Sequence, residues 1–224
     1  MDSEDSVPVF KSTDWVIIQK QKIGSRVKVH ISNLHNPPVC KQLRPLDYDH
    51  IANLKVAFSE SFRQDYMTMV GLIDKRLDSL EDFVIPGKIS VQVIGGNHSR
   101  LAIIESKVTE FVFVEVFAQL TDAKALLIGL EHNKIHDNAK KMTFQDYVLL
   151  FRNIFASTKL KHAGLPAKRT SELWRSEVAG ITGKSKDDLN SLFKVHLHLA
   201  ALDDEVWGSV LDVLNAYGQV VFLL

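Results

Sequence analysis

Val91-Gln-Val-Ile-Gly-Gly-Asn-His-Ser-Arg-Leu-Ala-Ile-Ile-Glu105 is an apolar run that stops at two glycines and restarts as a helix carrying His98 and Arg100. A strand that feeds a glycine turn and then a helix leaves backbone N–H groups without intrahelical partners where the helix dipole is positive, which suits a phosphate. Gly95 and Gly96 let the backbone approach such a ligand, and His98 and Arg100 add side-chain donors, arginine as a planar fork. The same stretch also reads as a tight connection whose basic residues are only solvated, because short glycine motifs recur without function.

Working outward, the chain up to about Glu131 mixes strands with helices. Trp15 to Lys20 and Arg26 to Ile31 read as β-rich, Leu46 to Phe62 as a helix and Tyr66 to Ile73 as a short strand. In Phe111-Val-Phe-Val-Glu-Val-Phe117 the β-branched and aromatic residues are nearly continuous, which predicts a strand covered on both faces. Thr121 stands as the N-cap of the next helix, and Asp74 to Asp82 reads as a solvated excursion with a helical turn.

After Lys140 the strand signal fades. Thr143 to Phe155, Ser171 to Val178, Ser185 to Leu199 and Asp203 to Tyr217 all carry apolar residues at helical spacing, with a break between Thr158 and Lys168 at Gly164 and Pro166. The expectation is an α+β protein: a small mixed sheet with helices over 1–140, then an all-helical domain over 141–224. Gln219-Val-Val-Phe-Leu-Leu224 is strongly apolar for a chain end, and reads as a docked last strand or as a truncation.

Within the helical half, 171–199 has the outline of a helix-turn-helix: a short helix, a turn at Gly183, and a second helix capped by Ser185. Lys168, Arg169, Arg175, Lys184 and Lys186 make this region basic, and with Ser185 and Asn190 they are the candidate DNA contacts. Asp187 and Asp188 fit the dipole of that second helix but repel a DNA backbone, and an ordinary αα-hairpin accounts for the same pattern.

With 27 basic and 27 acidic side chains the chain has no net charge, so any nucleic-acid binding must be local. The single cysteine, Cys40, excludes an intrachain disulfide framework and a cysteine-based zinc site, and it reads as a small buried hydrophobe. His196 and His198 alternate on a helix and so point to different faces, which excludes the usual metal pair; Trp174 and Trp207 read as packing residues. No run is apolar enough to cross a bilayer and the acidic N-terminus is unlike a signal peptide, so the expectation is an intracellular protein, cytoplasmic or nuclear.

The order of these pieces resembles the ParB family over roughly Lys28 to Gly218. The features that carry it are Asn36-Pro37 with Arg44, a helix ending in Ser59-Glu-Ser61, the turn Gly95-Gly-Asn-His-Ser-Arg100, Glu131-His-Asn133, and Gly183-Lys-Ser-Lys186 before a helix. Gly95, Arg100 and Ala102 stand where the family turn has its glycine, last arginine and alanine, and Gly183-Lys-Ser-Lys186 is similar to its G-K-S-R segment. The resemblance implies a ParB/sulfiredoxin-like fold that binds a nucleoside triphosphate, CTP or ATP, with Mg2+, and a nucleotide-dependent grip on DNA. It implies phosphate on Gly95, Gly96 and the amides of Asn97 to Ser99, charge neutralised by His98 and Arg100, Arg44 approaching from the entry loop, and Glu131 with Asn133 near a nucleotide-bound metal ion. ParB-type proteins also dimerise, so a homodimer is among the implied partners.

Sulfiredoxins and free-serine kinases resemble the same turn. Asn97 occupies the position of the sulfiredoxin cysteine, so sulfinic-acid reduction has no nucleophile here. A nucleotide-hydrolysing or phosphate-transferring enzyme is the alternative reading, with Glu131 or Asp137 as general base. A ligand-free scaffold derived from this fold is the third.

Overall fold

The computed structural model describes residues 12–64, 67–77, 79–135 and 142–220. Expectations that fall on Tyr66, His136, Asp137 and Val221 to Leu224 lie outside these residues. The described residues fall into two units, which divide between Lys140 and Lys141. The protein is α+β: a five-stranded mixed sheet in the first unit and, among the described residues, helices alone in the second.

In the first unit, α1 (Ser12–Lys20) precedes β1 (Lys22–His30), and a two-residue strand β2 (Leu34–His35) leads through a long loop to α2 (Tyr48–Glu60). Then come β3 (Met69–Ile73), β4 (Val91–Gly95), α3 (Asn97–Ser106), β5 (Phe111–Ala118) and α4 (Asp122–Ile135). The sheet order is β1-β5-β3-β4-β2, antiparallel for β1/β5 and β3/β4, parallel for β3/β5 and β2/β4. α1 corrects the expectation that Trp15 to Lys20 is β-rich. Its β-branched residues favour a strand intrinsically, yet Ile18 is fully buried while Trp15, Val16 and Ile17 are exposed, one inward residue per turn where a strand would alternate.

One face of the sheet carries the core. Val27, Val29, Val91, Val93, Val112, Val114 and Val116 meet there with Phe83 and with Ile103 of α3, and Phe58 and Phe62 from the α2 side pack against them. β-branched residues suit a pleated surface, and the strict alternation along Val112, Val114 and Val116 fixes the register, since a one-residue slip would expose them all. α4 packs on β3 and β4. Its approach is close: a Cβ on Gly129 would stand 2.7 Å from the Ile94 carbonyl oxygen.

In the second unit α5 (Phe144–Lys161) opens with a reciprocal capping box between Thr143 and Asp146. α6 (Ala167–Thr182) follows Pro166 and packs on α5 through Trp174, whose indole N–H donates to the Phe151 carbonyl at 3.0 Å. After Gly183 come α7 (Lys186–Leu192), α8 (Lys194–Ala200) and α9 (Asp204–Val220). Ser185 to Leu199 is therefore two short helices and not one. Phe193 leaves helical geometry at φ −119° and its ring joins Tyr147, Phe151 and His196 at centroid distances of 5.0, 5.3 and 5.3 Å. α9 runs through Gln219 and Val220, where the sequence allowed a docked strand. Buried Arg152 ties this end together, donating to the carbonyls of Ala200 and Leu202 and to the Asp204 carboxylate, with Trp207 over its guanidinium at 4.8 Å. No helix among the described residues is long and apolar enough to cross a membrane.

Candidate functional site

A cleft of about 570 Å³ opens where β4 turns into α3. That volume is in the range of small-molecule sites. Gly95, Gly96, Asn97, His98 and Ser99 line it, together with Arg44 from the loop before α2 and Asn133 from α4. The turn has this shape because only glycine fits it. Gly96 sits at φ +85° with the Thr68 carbonyl oxygen 3.2 Å from where a Cβ would stand, and a Cβ on Gly95 would meet the His132 ring at 2.9 Å. Gly96 is also the N-cap of α3, so no side chain caps the helix start, and the first-turn amides have no acceptor within the helix.

The side chains around the turn are fixed by one another. Arg44 donates through Nη2 to Asn133 Oδ1 at 2.9 Å, which ties the entry loop to α4. His98 Nε2 accepts from the Asp47 backbone N–H at 3.0 Å, so its ring is neutral with the proton on Nδ1. Expected to neutralise phosphate charge, His98 lies in the cleft lining and also holds the start of α2, where Asp47 in turn caps by accepting from His50 N–H.

Arg100 is placed differently from the expectation. It is 6% exposed and does not line the cleft. Its guanidinium donates to Asn97 Oδ1 at 2.8 Å, to the Leu34 carbonyl at 3.3 Å and to Asn36 Oδ1 at 2.5 Å, so it pins β2 and the entry loop to α3. Burial pushes its pKa below the ordinary arginine value. Glu131 is half-buried on α4 and is not among the lining residues either.

Sequence reading missed Arg63, Thr68, His50 and His132, which line the cleft. His132 Nε2 lies 3.3 Å from Thr68 Oγ1 and 3.1 Å from its carbonyl oxygen. These residues come from separate segments and form no local motif, although His132 sits inside Glu131-His-Asn133. Leu54, Ala57, Phe58 and Met67 add apolar surface to the lining. Among the described residues the lining contains two arginines and no carboxylate. It therefore suits an anion carrying an apolar or planar group, and it does not fit a metal ion held by protein carboxylates. Cys40 is no part of this lining; burial first, and then Asp122, raise its thiol pKa above the ordinary value.

In the second unit, Lys184, Ser185, Lys186 and Asn190 are exposed around the α6–α7 turn, with Lys168 exposed and Arg169 and Arg175 half-buried along α6. Arg175 donates to Asn190 Oδ1 at 2.9 Å, and Arg169 pairs with Glu172 at 3.3 Å. α7 has only seven residues, and Ser185 and Asp188 cap it reciprocally. No protein family, curated protein or solved structure matches the chain.

Proposed function

We propose that the cleft binds the phosphates of a nucleotide and that occupancy controls binding of DNA by the helical unit, as the ParB resemblance implies for a CTP-like ligand. One observation carries this reading: Arg44, the Gly95-Gly96 turn and Asn133 are far apart in sequence yet line a single cleft. Phosphate takes the first-turn amides of α3 with Arg44 and Arg63, and the base takes the apolar part of the lining, Leu54, Phe58 and Met67. Any Mg2+ enters on the phosphates, because the described lining has no carboxylate to hold it. For the same reason binding is favoured over hydrolysis: Glu131 does not line the cleft.

DNA contact falls to the exposed Lys184 and Lys186 beside the α6–α7 turn, with Lys168 on α6. A recognition helix of seven residues offers less than two full turns to a groove, so backbone phosphates dominate this contact. Calorimetric titration with CTP, ATP and GTP tests the reading. One of them binds, and Arg44→Ala weakens it about tenfold or more, the worth of a charge-assisted hydrogen bond. Absence of binding by all three, or full affinity in Arg44→Ala, overturns it.

A further inference from the structure

We infer that the outer face of β1 and β5 is a second binding site, for single-stranded nucleic acid. Side chains alternate along these strands, so the face opposite Val27, Val29, Val112 and Val114 carries Arg26, Lys28 and His30 from β1 and Phe111, Phe113 and Glu115 from β5. α4 packs on β3 and β4, and β1 and β5 lie on the other side of β3 from β4. Phe111 and Phe113 remain half-exposed, with Arg26 and Lys28 exposed beside them.

The cations lie on the rings. The Arg26 guanidinium is 4.5 Å from the Phe113 centroid, Lys28 Nζ is 4.4 Å from that of Phe111, and His30 meets Phe111 edge-on at 5.2 Å. His30 Nδ1 accepts from the Ser32 N–H at 3.1 Å, which leaves the proton on Nε2 as a donor. Among the described residues of β1 and β5, the one carboxylate on this face, Glu115, is ion-paired with Lys22; Glu110 stands exposed just before β5. The surface is thus two aromatic platforms about 7 Å apart along one strand, with cations on the neighbouring strand.

That pattern selects its occupant by charge and shape. Successive bases of an unpaired strand stack on ring faces, while lysine and arginine follow the phosphates. The bases of a duplex are already stacked and cannot reach the rings. On binding, Lys28 exchanges its ring for a phosphate, and an exposed cation–π contact is the weaker of the two interactions. This site is separate from the cleft and does not depend on what the cleft binds.

Fluorescence anisotropy of the whole chain, carrying Lys168→Gln, Lys184→Gln and Lys186→Gln so that the DNA contact proposed for the helical unit is removed from every arm, with a labelled oligonucleotide of about twelve residues at about 50 mM salt, tests it. The single strand is expected to bind about tenfold tighter than the matching duplex. Phe113→Leu keeps a large apolar side chain at a half-exposed position and lowers single-strand affinity about tenfold without changing the salt dependence. Lys28→Gln lowers the log–log salt slope by about 0.7 and, being exposed, tests the site even if Phe113→Leu fails to fold. In that triple-glutamine chain, equal or tighter duplex binding, a folded Phe113→Leu with undiminished affinity, or an unchanged slope in Lys28→Gln overturns the inference.

Discussion

Two glycine turns lead into helices in this protein, and they are built on opposite principles. Gly183 precedes a helix that completes itself: Ser185 and Asp188 cap it reciprocally, and a Cβ on Gly183 would meet nothing within 4 Å. Gly96 precedes a helix with no side-chain cap, in a turn hemmed in by Thr68, Met69 and His132 and opening on a cleft lined by arginine. A self-capped helix start is a structural joint. One that is shaped tightly and left uncapped is complementary to something from outside, which is why the first unit holds the nucleotide in our proposal.

The sharpest test of this contrast lies in two arginines that sequence assigned to one task. Arg100→Ala removes a buried guanidinium with three acceptors and leaves the Leu34 carbonyl and Asn36 with a lost donor, at a cost of about 3 kcal/mol. Urea denaturation should show that loss, and any ligand affinity falls with the fold. Arg44→Ala is expected to cost less than Arg100→Ala, about 1 kcal/mol, because Arg44 is only half-buried at the cleft, where water can take the place of its bond to Asn133, while affinity falls steeply. Equal stability in the two variants would mean that Arg100 is not the strut described.

The glycines give the next test. Gly96→Ala places a side chain at φ +85° against a carbonyl oxygen and should cost about 2 kcal/mol, combining left-handed strain with crowding. Gly183→Ala at φ +66° meets open space and should cost about 1 kcal/mol, the strain alone. If thermal melts place the two together, the crowding at the first turn has relaxed and the contrast between the turns is lost.

What sequence made legible follows the range of the interactions involved. β4, its glycine turn and α3 were readable because an apolar run, a breaker and a helical repeat are neighbours in the chain; β5 and α5 were readable as elements for similar reasons, but the cover expected on both faces of β5 is present on one, with Phe111, Phe113 and Glu115 half-exposed on the other. α1 was misread because four apolar residues in a row fit either state and tertiary burial of Ile18 alone decided between them. The break at Phe193 depends on where its ring lands, among residues of α5 about forty positions earlier. Arg100 illustrates the limit most clearly. Its position on the first turn was readable, but the direction of its guanidinium is set by Leu34 and Asn36, which lie 66 and 64 residues away.

The self-sufficiency of the helical unit has one exception, and it supplies the smallest expected effect. Among the described residues of that unit, His196 Nδ1 is buried without a hydrogen-bond partner, in a ring cluster of Phe144, Tyr147, Phe151 and Phe193. Burial lowers its pKa below the ordinary histidine value of about 6.5. The folded ring therefore stays neutral over a range in which the unfolded ring takes up a proton. By linkage, its contribution to stability is complete above about pH 6.5 and declines as pH falls from there toward the depressed folded value. Replacing it with phenylalanine keeps the aromatic packing and removes the titration. Denaturation midpoints of wild type and His196→Phe, compared between about pH 7.5 and pH 5.5, should show a smaller acid-side loss in the variant. An identical loss in both would assign the slope to other groups and return the helical unit to full polar self-sufficiency in the acid range.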